Sequence, residues 1–416
     1  MLTPFRWNAM VVVLLLAAAL PATAQNSTPQ NVNPAPPRVF LLNARELATL
    51  HAADANDPHW QEIVQAAVAA AELAMTEGPF SVMDKPVTPP SGDKHDYMSR
   101  ATYWWPDPSK PDGLPYIRRD GQTNPENRKI TDHEEFGRMS GAARALALAW
   151  YFTGKAEYAN RAALLLRTWF LDPATKMNPN LEFAQAIAGV NTGRGIGIID
   201  TRPLVDTVDA AGLLADSPAW NAADDKDLHD WFVQYLHWMR TSKNGLEEDA
   251  ARNNHGNWYD MQVTGMALFV GDRALARDTL ERVKTRRIAV QIEPDGRQPL
   301  ELARTKAWGY SNMSLDALCE LATFGDEVDV DLWNFKTADG RSIRAAIDFL
   351  VPYAASKKAW DYQEIAGFHA SAMTPTLLRA AIAYHDPNYA ALAQQIGSDR
   401  DDVETLLLRD ALSSTH

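Results

Sequence analysis

The chain has 416 residues, 22% of them charged, with a formal net charge of −13 and a single cysteine, Cys319. That length supports a sizeable apolar core and excludes a small disulfide-stapled scaffold, and one cysteine excludes any disulfide within the chain. The acidic balance argues against nucleic acid as a partner, so an anion site would have to be built locally from arginines such as Arg100, Arg194 and Arg304.

Residues 1–24 read as a secretory signal peptide. Arg6 precedes an almost wholly apolar run from Met10 to Leu20, and Pro21 with Ala22-Thr23-Ala24 supplies a small-residue cleavage pattern. The run is too short for a membrane span of about 20 residues. The mature protein is therefore expected in the periplasm or secreted, with no membrane association after cleavage. Residues 25–37, rich in Asn, Pro, Gln and Ser, read as a flexible leader.

Two segments, Arg38 to Leu42 and Ile288 to Ile292, carry the β-branched and apolar character of strands; helical periodicity dominates elsewhere. Ala142 to Phe152 is dense in alanine and leucine and stops at Thr153-Gly154, a helix C-cap signal, before a second helix from about Glu157 to Phe170. The unit recurs around Gly271-Asp272, with looser echoes at Phe324-Gly325-Asp326 and Tyr384-His385-Asp386. Leu228, Trp231, Phe232, Tyr235, Leu236 and Met239 step by three and four along one helix face, behind Asp224, Asp225 and Asp227. Repeated helical hairpins imply either an open solenoid or a closed ring. The irregular spacing and long insertions favour the ring. The expected fold is all-α: an (α/α) toroid, or incomplete barrel of helical hairpins, formed by residues 38–416 as one domain. Cys319 falls in an apolar helical stretch and is expected to be a buried thiol.

The insertions carry the functional signals. Pro86 to Ile130 is polar, proline-rich and aromatic, and a loop of that length in a compact domain usually serves function. It holds His95-Asp96-Tyr97, Arg100 and Tyr103-Trp104-Trp105-Pro106. Asn178 to Thr201 holds Gln185 and Gly193-Arg194-Gly195-Ile196-Gly197. That glycine run lacks a preceding strand, so a tight turn presenting Arg194 is a better reading than a nucleotide loop.

Farther on, Asn253-Asn254-His255-Gly256-Asn257-Trp258 combines amides, an imidazole and an indole. Glu301-Leu302-Ala303-Arg304, then Trp308 and Tyr310, add a guanidinium and a phenol. These are the parts that β-elimination of a uronan requires. The C6 carboxylate must be neutralised, the C5 proton removed, and the leaving C4 oxygen protonated. Asn254 and Arg304 suit the first task. His255 suits the base and Tyr310 the acid, although a tyrosine beside a cation can also serve as base. Where the C5 hydrogen and C4 oxygen share a face, as in mannuronate and glucuronate, Tyr310 could act as both. In guluronate they lie on opposite faces, and His255 would take the proton. Tyr97, Arg100, Tyr103, Trp104, Trp105, Gln185, Arg194, Asn253, Trp258 and Trp308 are the candidate sugar-binding residues. No metal or other cofactor is expected, since His95, His133 and His255 lack metal-site spacing. Two other readings remain open: a toroid hydrolase using paired carboxylates drawn from Asp96, Glu135 and Glu182, and a uronan-binding protein without catalysis.

The Asn253–Trp258 motif, Pro299-Leu300-Glu301-Leu302-Ala303-Arg304 and Ala307-Trp308-Gly309-Tyr310 resemble the alginate lyase family of polysaccharide lyases. So do His95-Asp96-Tyr97, Tyr103-Trp104-Trp105-Pro106-Asp107-Pro108, and Gln185 with Gly193 to Asp200. The resemblance implies an (α/α) toroid and metal-independent β-elimination outside the cytoplasm. It implies Asn254 and Arg304 as neutralisers, His255 as base and Tyr310 as acid. Ser311, directly after Tyr310, departs from the usual family pattern, which adds glucuronan to alginate and polymannuronate as expected substrates.

Overall fold

The computed structural model describes residues 36–398 and 402–414. The expected signal peptide and residues 25–35 of the leader lie outside them.

Seven helices define the ring: α1 (Pro58–Ala74), α2 (Asp132–Thr153), α3 (Leu204–Leu213), α4 (Asn254–Phe269), α5 (Ala307–Gly325), α6 (Thr374–Tyr384) and α7 (Val403–Ser414). Each packs on the next, and α7 packs back on α1, so the contacts form a closed circuit. Helices Ala156–Leu166, Arg273–Val283 and Pro387–Ile396 return along the outside of α2, α4 and α6, completing the hairpins of an (α/α) toroid. The turn signals act as expected. Gly154 caps α2, Asp272 caps the helix after Gly271, and Asp386 caps the helix after α6. Ala222–Thr241 buries the aromatic face read from the sequence, and a capping box between Asn221 and Asp224 starts it. Every residue of α4 except His255 is buried, as is most of α5, Cys319 included. These two helices form the middle of the core.

Ring closure is ionic as well as apolar. Glu404 of α7 pairs with Arg144 of α2 at 2.9 Å and with Arg379 of α6, and Arg144 also holds Asp206 of α3 at 2.9 Å. Burial opposes ionisation of Glu404. The two guanidiniums overcome it and bring the carboxyl down to about 2.

Neither expected strand forms. Residues 38–42 are an irregular segment pinned to the buried Asp209 carboxylate, which accepts from the Phe40 and Leu42 amides at 2.8 and 2.9 Å. Residues 288–292 continue a helix through a π turn, Lys284–Ile288, and Ala289–Gln291. Ile288 and Ile292, four apart, bury one helical face. The short strands lie instead in the two insertions: β1 (Met98–Arg100), β2 (Trp104–Trp105), β3 (Ile117–Arg118) and β4 (Phe183–Ala186). β1 pairs with β4 in parallel, and β2 with β3 antiparallel.

Candidate active site

A cleft of about 700 Å³ opens where α2, α4 and α5 begin, and the 3-10 turn Gly195–Thr201 leads into it ahead of α3. Helix starts present unpaired N–H groups and positive dipole ends, favourable for anions. Arg118, Arg194, Arg202, Arg252, Arg304 and Lys306 line the cleft, against one lining carboxylate among the described residues, Asp200. An acidic chain thus carries a cationic slot.

One wall is helical. Asn254 and His255 form the first turn of α4, behind the N-cap Asn253. Gly256 is required there: a Cβ would lie 2.4 Å from the Ala251 carbonyl oxygen and 2.5 Å from Arg287 Nη1. The buried Arg287 donates to Asp260 (2.7 Å), the Ala251 carbonyl (2.7 Å) and the Asp249 carbonyl (2.9 Å), fixing the approach to the helix. His255 Nδ1 lies 2.7 Å from Oε1 of the buried Glu248. An ionised carboxylate only accepts, so this contact places the ring proton on Nδ1 and leaves Nε2 as the basic nitrogen. Asn254 donates from its backbone N and its Nδ2 to Glu301 at 2.7 and 2.8 Å. One N–H of that amide is therefore already committed. Asn257 Nδ2 reaches Ser314 Oγ at 3.0 Å and ties α4 to α5.

Tyr310 stands in the first turn of α5 and donates to Tyr103 Oη at 2.7 Å. The Arg304 guanidinium lies 3.7 Å from the centre of the Tyr310 ring. Burial and the Tyr103 bond hold the Tyr310 phenol well above its usual value, and the attraction of Arg304 does not cancel them. Tyr310 therefore carries its proton at neutral pH. Arg304 pairs with Asp120, not with Glu301: Nη2 and Nε donate to its carboxylate at 2.7 and 3.1 Å. Asp120 also accepts from the Thr305 amide and hydroxyl at 3.1 and 3.0 Å and from Arg118 at 2.6 Å. Burial opposes its ionisation, but these donors keep the carboxyl far below its ordinary value. Nη1 of Arg304 makes no hydrogen bond among the described residues and remains for a ligand.

The other wall is made of the insertions. Tyr103 and Trp104 line it with Gln185 and Arg194. Gln185 adopts a left-handed φ of 49°, sparsely populated without glycine, and its side chain bridges Asp200 (2.8 Å) and Arg194 (3.0 Å). The Arg194 turn passes so close to β4 that a Cβ at Gly193 would lie 1.9 Å from the Glu182 carbonyl oxygen, which accounts for the glycine run. Asp200 also accepts from Ser99 (2.5 Å) and Tyr97 (3.2 Å), and His133 Nδ1 lies 3.6 Å from it.

Five candidate binding residues lie outside the cleft. Tyr97 is fully buried beneath Asp200. Trp258 is buried behind Arg202. Trp308 is buried against Trp360 and Phe368 and donates to the His369 carbonyl. Trp105 follows Trp104 on β2 and so faces the opposite way, bonded to the Gln122 carbonyl under Arg119. Arg100 lines a separate smaller pocket. Sequence reasoning missed Arg118, Arg202, Arg252, Lys306, His133 and Asp200 in the cleft, and Glu248 and Asp120 behind it. The carboxylates considered for hydrolysis do not gather there. Asp96 is buried and accepts from Asn178 and Asn180, and neither Glu135 nor Glu182 lines the cleft.

The alginate lyase family profile matches residues 81–360. An alginate lyase from Bacteroides ovatus is 41% identical, with a TM-score of 0.85 over 89% of this chain and 99% of that one. Two structures of alginate lyase A1-III share the fold at 17% and 18% identity: one is the enzyme from Sphingomonas species A1, the other a histidine-to-alanine variant complexed with tetrasaccharide. Their TM-scores are 0.56 and 0.57, over 90% and 92% of this chain and 96% and 98% of theirs. Among curated proteins, none matches the chain. With this cleft and these relatives, the chain belongs to the alginate lyase family and is a polysaccharide lyase.

Proposed function

We propose that the protein cleaves alginate by β-elimination, with His255 as base and Tyr310 as acid. The observation that carries this reading is the convergence of both rings on one cationic cleft, lined among the described residues by a single carboxylate. Arg304 Nη1 and the remaining Asn254 N–H hold the C6 carboxylate of the bound uronate, whose charge would otherwise resist formation of a carbanion at C5. His255 Nε2 takes the C5 proton while Glu248 supports the resulting imidazolium. The freed electron pair forms the C4=C5 double bond, the C4–O bond breaks, and the departing oxygen takes the Tyr310 proton. A phenol held protonated in the free enzyme suits that last step better than the role of base. Asn253, Tyr103, Trp104, Gln185 and Arg194 bind the sugars on either side. The Bacteroides ovatus relative supports alginate as substrate.

We further propose that residues 38–416 act as one catalytic unit and that the enzyme works in the periplasm or outside the cell, following the signal read in residues 1–24. N-terminal sequencing of exported protein tests that reading. The reaction is tested by ultraviolet absorbance of the new conjugated double bond during incubation with polymannuronate, polyguluronate and glucuronan. Accumulation of saturated products alone would establish hydrolysis instead.

A further inference from the structure

A second pocket, of about 220 Å³, adjoins the cleft, and among the described residues Trp104 alone lines both. Strand β4 separates them: Gln185 faces the cleft and its neighbour Ala186 faces the smaller pocket. Arg100 pairs with Ala186 across the β1–β4 ladder, so the spacing of the two pockets is set by backbone pairing.

The Arg100 side chain lines this pocket, and its guanidinium makes no hydrogen bond or ion pair with any described residue. Glu126, the nearby carboxylate, is held by Lys129 at 3.0 Å and by the Tyr116 hydroxyl at 3.3 Å, and Arg100 affects it only weakly. Asn191 Oδ1 accepts from the Ile187 amide at 3.1 Å, which orients the side-chain amide and leaves Nδ2 to donate. Tyr116 and Trp104 complete the walls. A planar cation without a partner, a free amide donor and two aromatic faces recognise one pyranose ring bearing a carboxylate.

We propose that this pocket is a distal subsite for one further uronate of the chain held in the cleft, with Arg100 taking its carboxylate and Trp104 separating the two sugars. The subsite rests on the polyuronate reading above. The slot would therefore engage its polymer through two guanidinium-built stations, Arg304 beside the reacting sugar and Arg100 beyond Trp104.

The test is calorimetric binding of a length series of mannuronate oligosaccharides, disaccharide to hexasaccharide, in a Tyr310→Phe background that prevents turnover. Arg100→Ala should weaken binding about tenfold, the scale of one charge-assisted contact, only for oligomers long enough to pass Trp104. Arg100→Lys should recover part of the loss, and carboxyl-reduced oligomers should show no dependence on Arg100. Asn191→Asp, which keeps an Oδ1 to accept from the Ile187 amide but removes the side-chain donor, should follow the same length dependence. No loss at any length, or an equal loss at every length, overturns the subsite. Length-dependent binding by a wild-type enzyme that makes no unsaturated product would keep the subsite and discard the elimination.

Discussion

The two walls of the cleft are built on different principles. The helical wall sets Asn254, His255 and Tyr310 on the first turns of two mostly buried helices, α4 and α5, locked by Arg287, Glu248 and the Asn257–Ser314 bond. The insertion wall places Tyr103, Trp104, Gln185 and Arg194 on short strands and turns, held by side-chain contacts both local, as between Gln185 and Arg194, and distant, as between Gln185 and Ser99 and between Tyr103 and Tyr310. Groups that move protons need fixed geometry, and rigid helix starts provide it. Groups that grip a chain of sugars need reach and variety, which loops supply. Asp120 joins the walls, since it extends from the long insertion and holds Arg304 beside Tyr310.

The largest expected effect lies on the helical wall. Tyr310→Phe should lower kcat about 10³-fold while KM stays within about twofold, because only the proton donor is removed. Steady-state kinetics on polyguluronate, where the C5 hydrogen and C4 oxygen lie on opposite faces, decides it; retention of more than about a tenth of wild-type kcat would return the acid role to another group. Next is the closure that supports this wall. Glu404→Gln should cost roughly 3 kcal/mol of stability near neutral pH by taking from Arg379 its carboxylate partner and leaving Arg144 with Asp206 alone. The folded carboxyl sits near 2 against an ordinary 4.5, so its contribution is complete above the ordinary value and fades as pH falls toward the folded one. Thermal melts of the two proteins should converge in acid, and a constant gap would show that the pair does not titrate as described.

The join between the walls comes third. Asp120→Asn should lower kcat/KM by about 10- to 100-fold through misplacement of Arg304, with Asp120→Glu recovering part of it. A wild-type rate from Asp120→Asn would mean that the substrate alone positions the guanidinium. The smallest effects separate neighbours on β2. Trp104→Ala should raise KM about tenfold, and Trp105→Ala should change it less than about twofold. Equal effects would contradict the opposite facing of the two rings.

The helical wall was legible in the sequence because its groups lie in contiguous motifs, and the hairpin turns were legible because Gly154, Asp272 and Asp386 cap helices by local chemistry. What remained hidden depends on distance along the chain. Asp120 and Arg304 are 184 residues apart, and no local pattern announces their pairing. Arg118, Arg202, Arg252 and Lys306 resemble any surface cation until the ring brings them to one opening. Tyr97, Trp258 and Trp308 sit in the right motifs yet serve as packing, since a motif can mark the buried frame of a site as well as its surface. Two-residue strands leave too little alternation to tell Trp104 from Trp105. At 288–292 the β-branched residues suggested a strand, but the four-residue spacing of Ile288 and Ile292 suited a helix.

The contrast between an anionic body and a cationic slot bears on how a long polyanion finds the enzyme. A chain of uronates is repelled over most of the surface and attracted at one opening, so encounters elsewhere are short and the approach is guided. Mobile ions weaken both the repulsion and the pull, because their screening length shrinks to about 8 Å at physiological ionic strength. Capture of long polymer should therefore slow as salt rises, while turnover of sugars already seated in the slot, beyond the reach of that screening, should scarcely change.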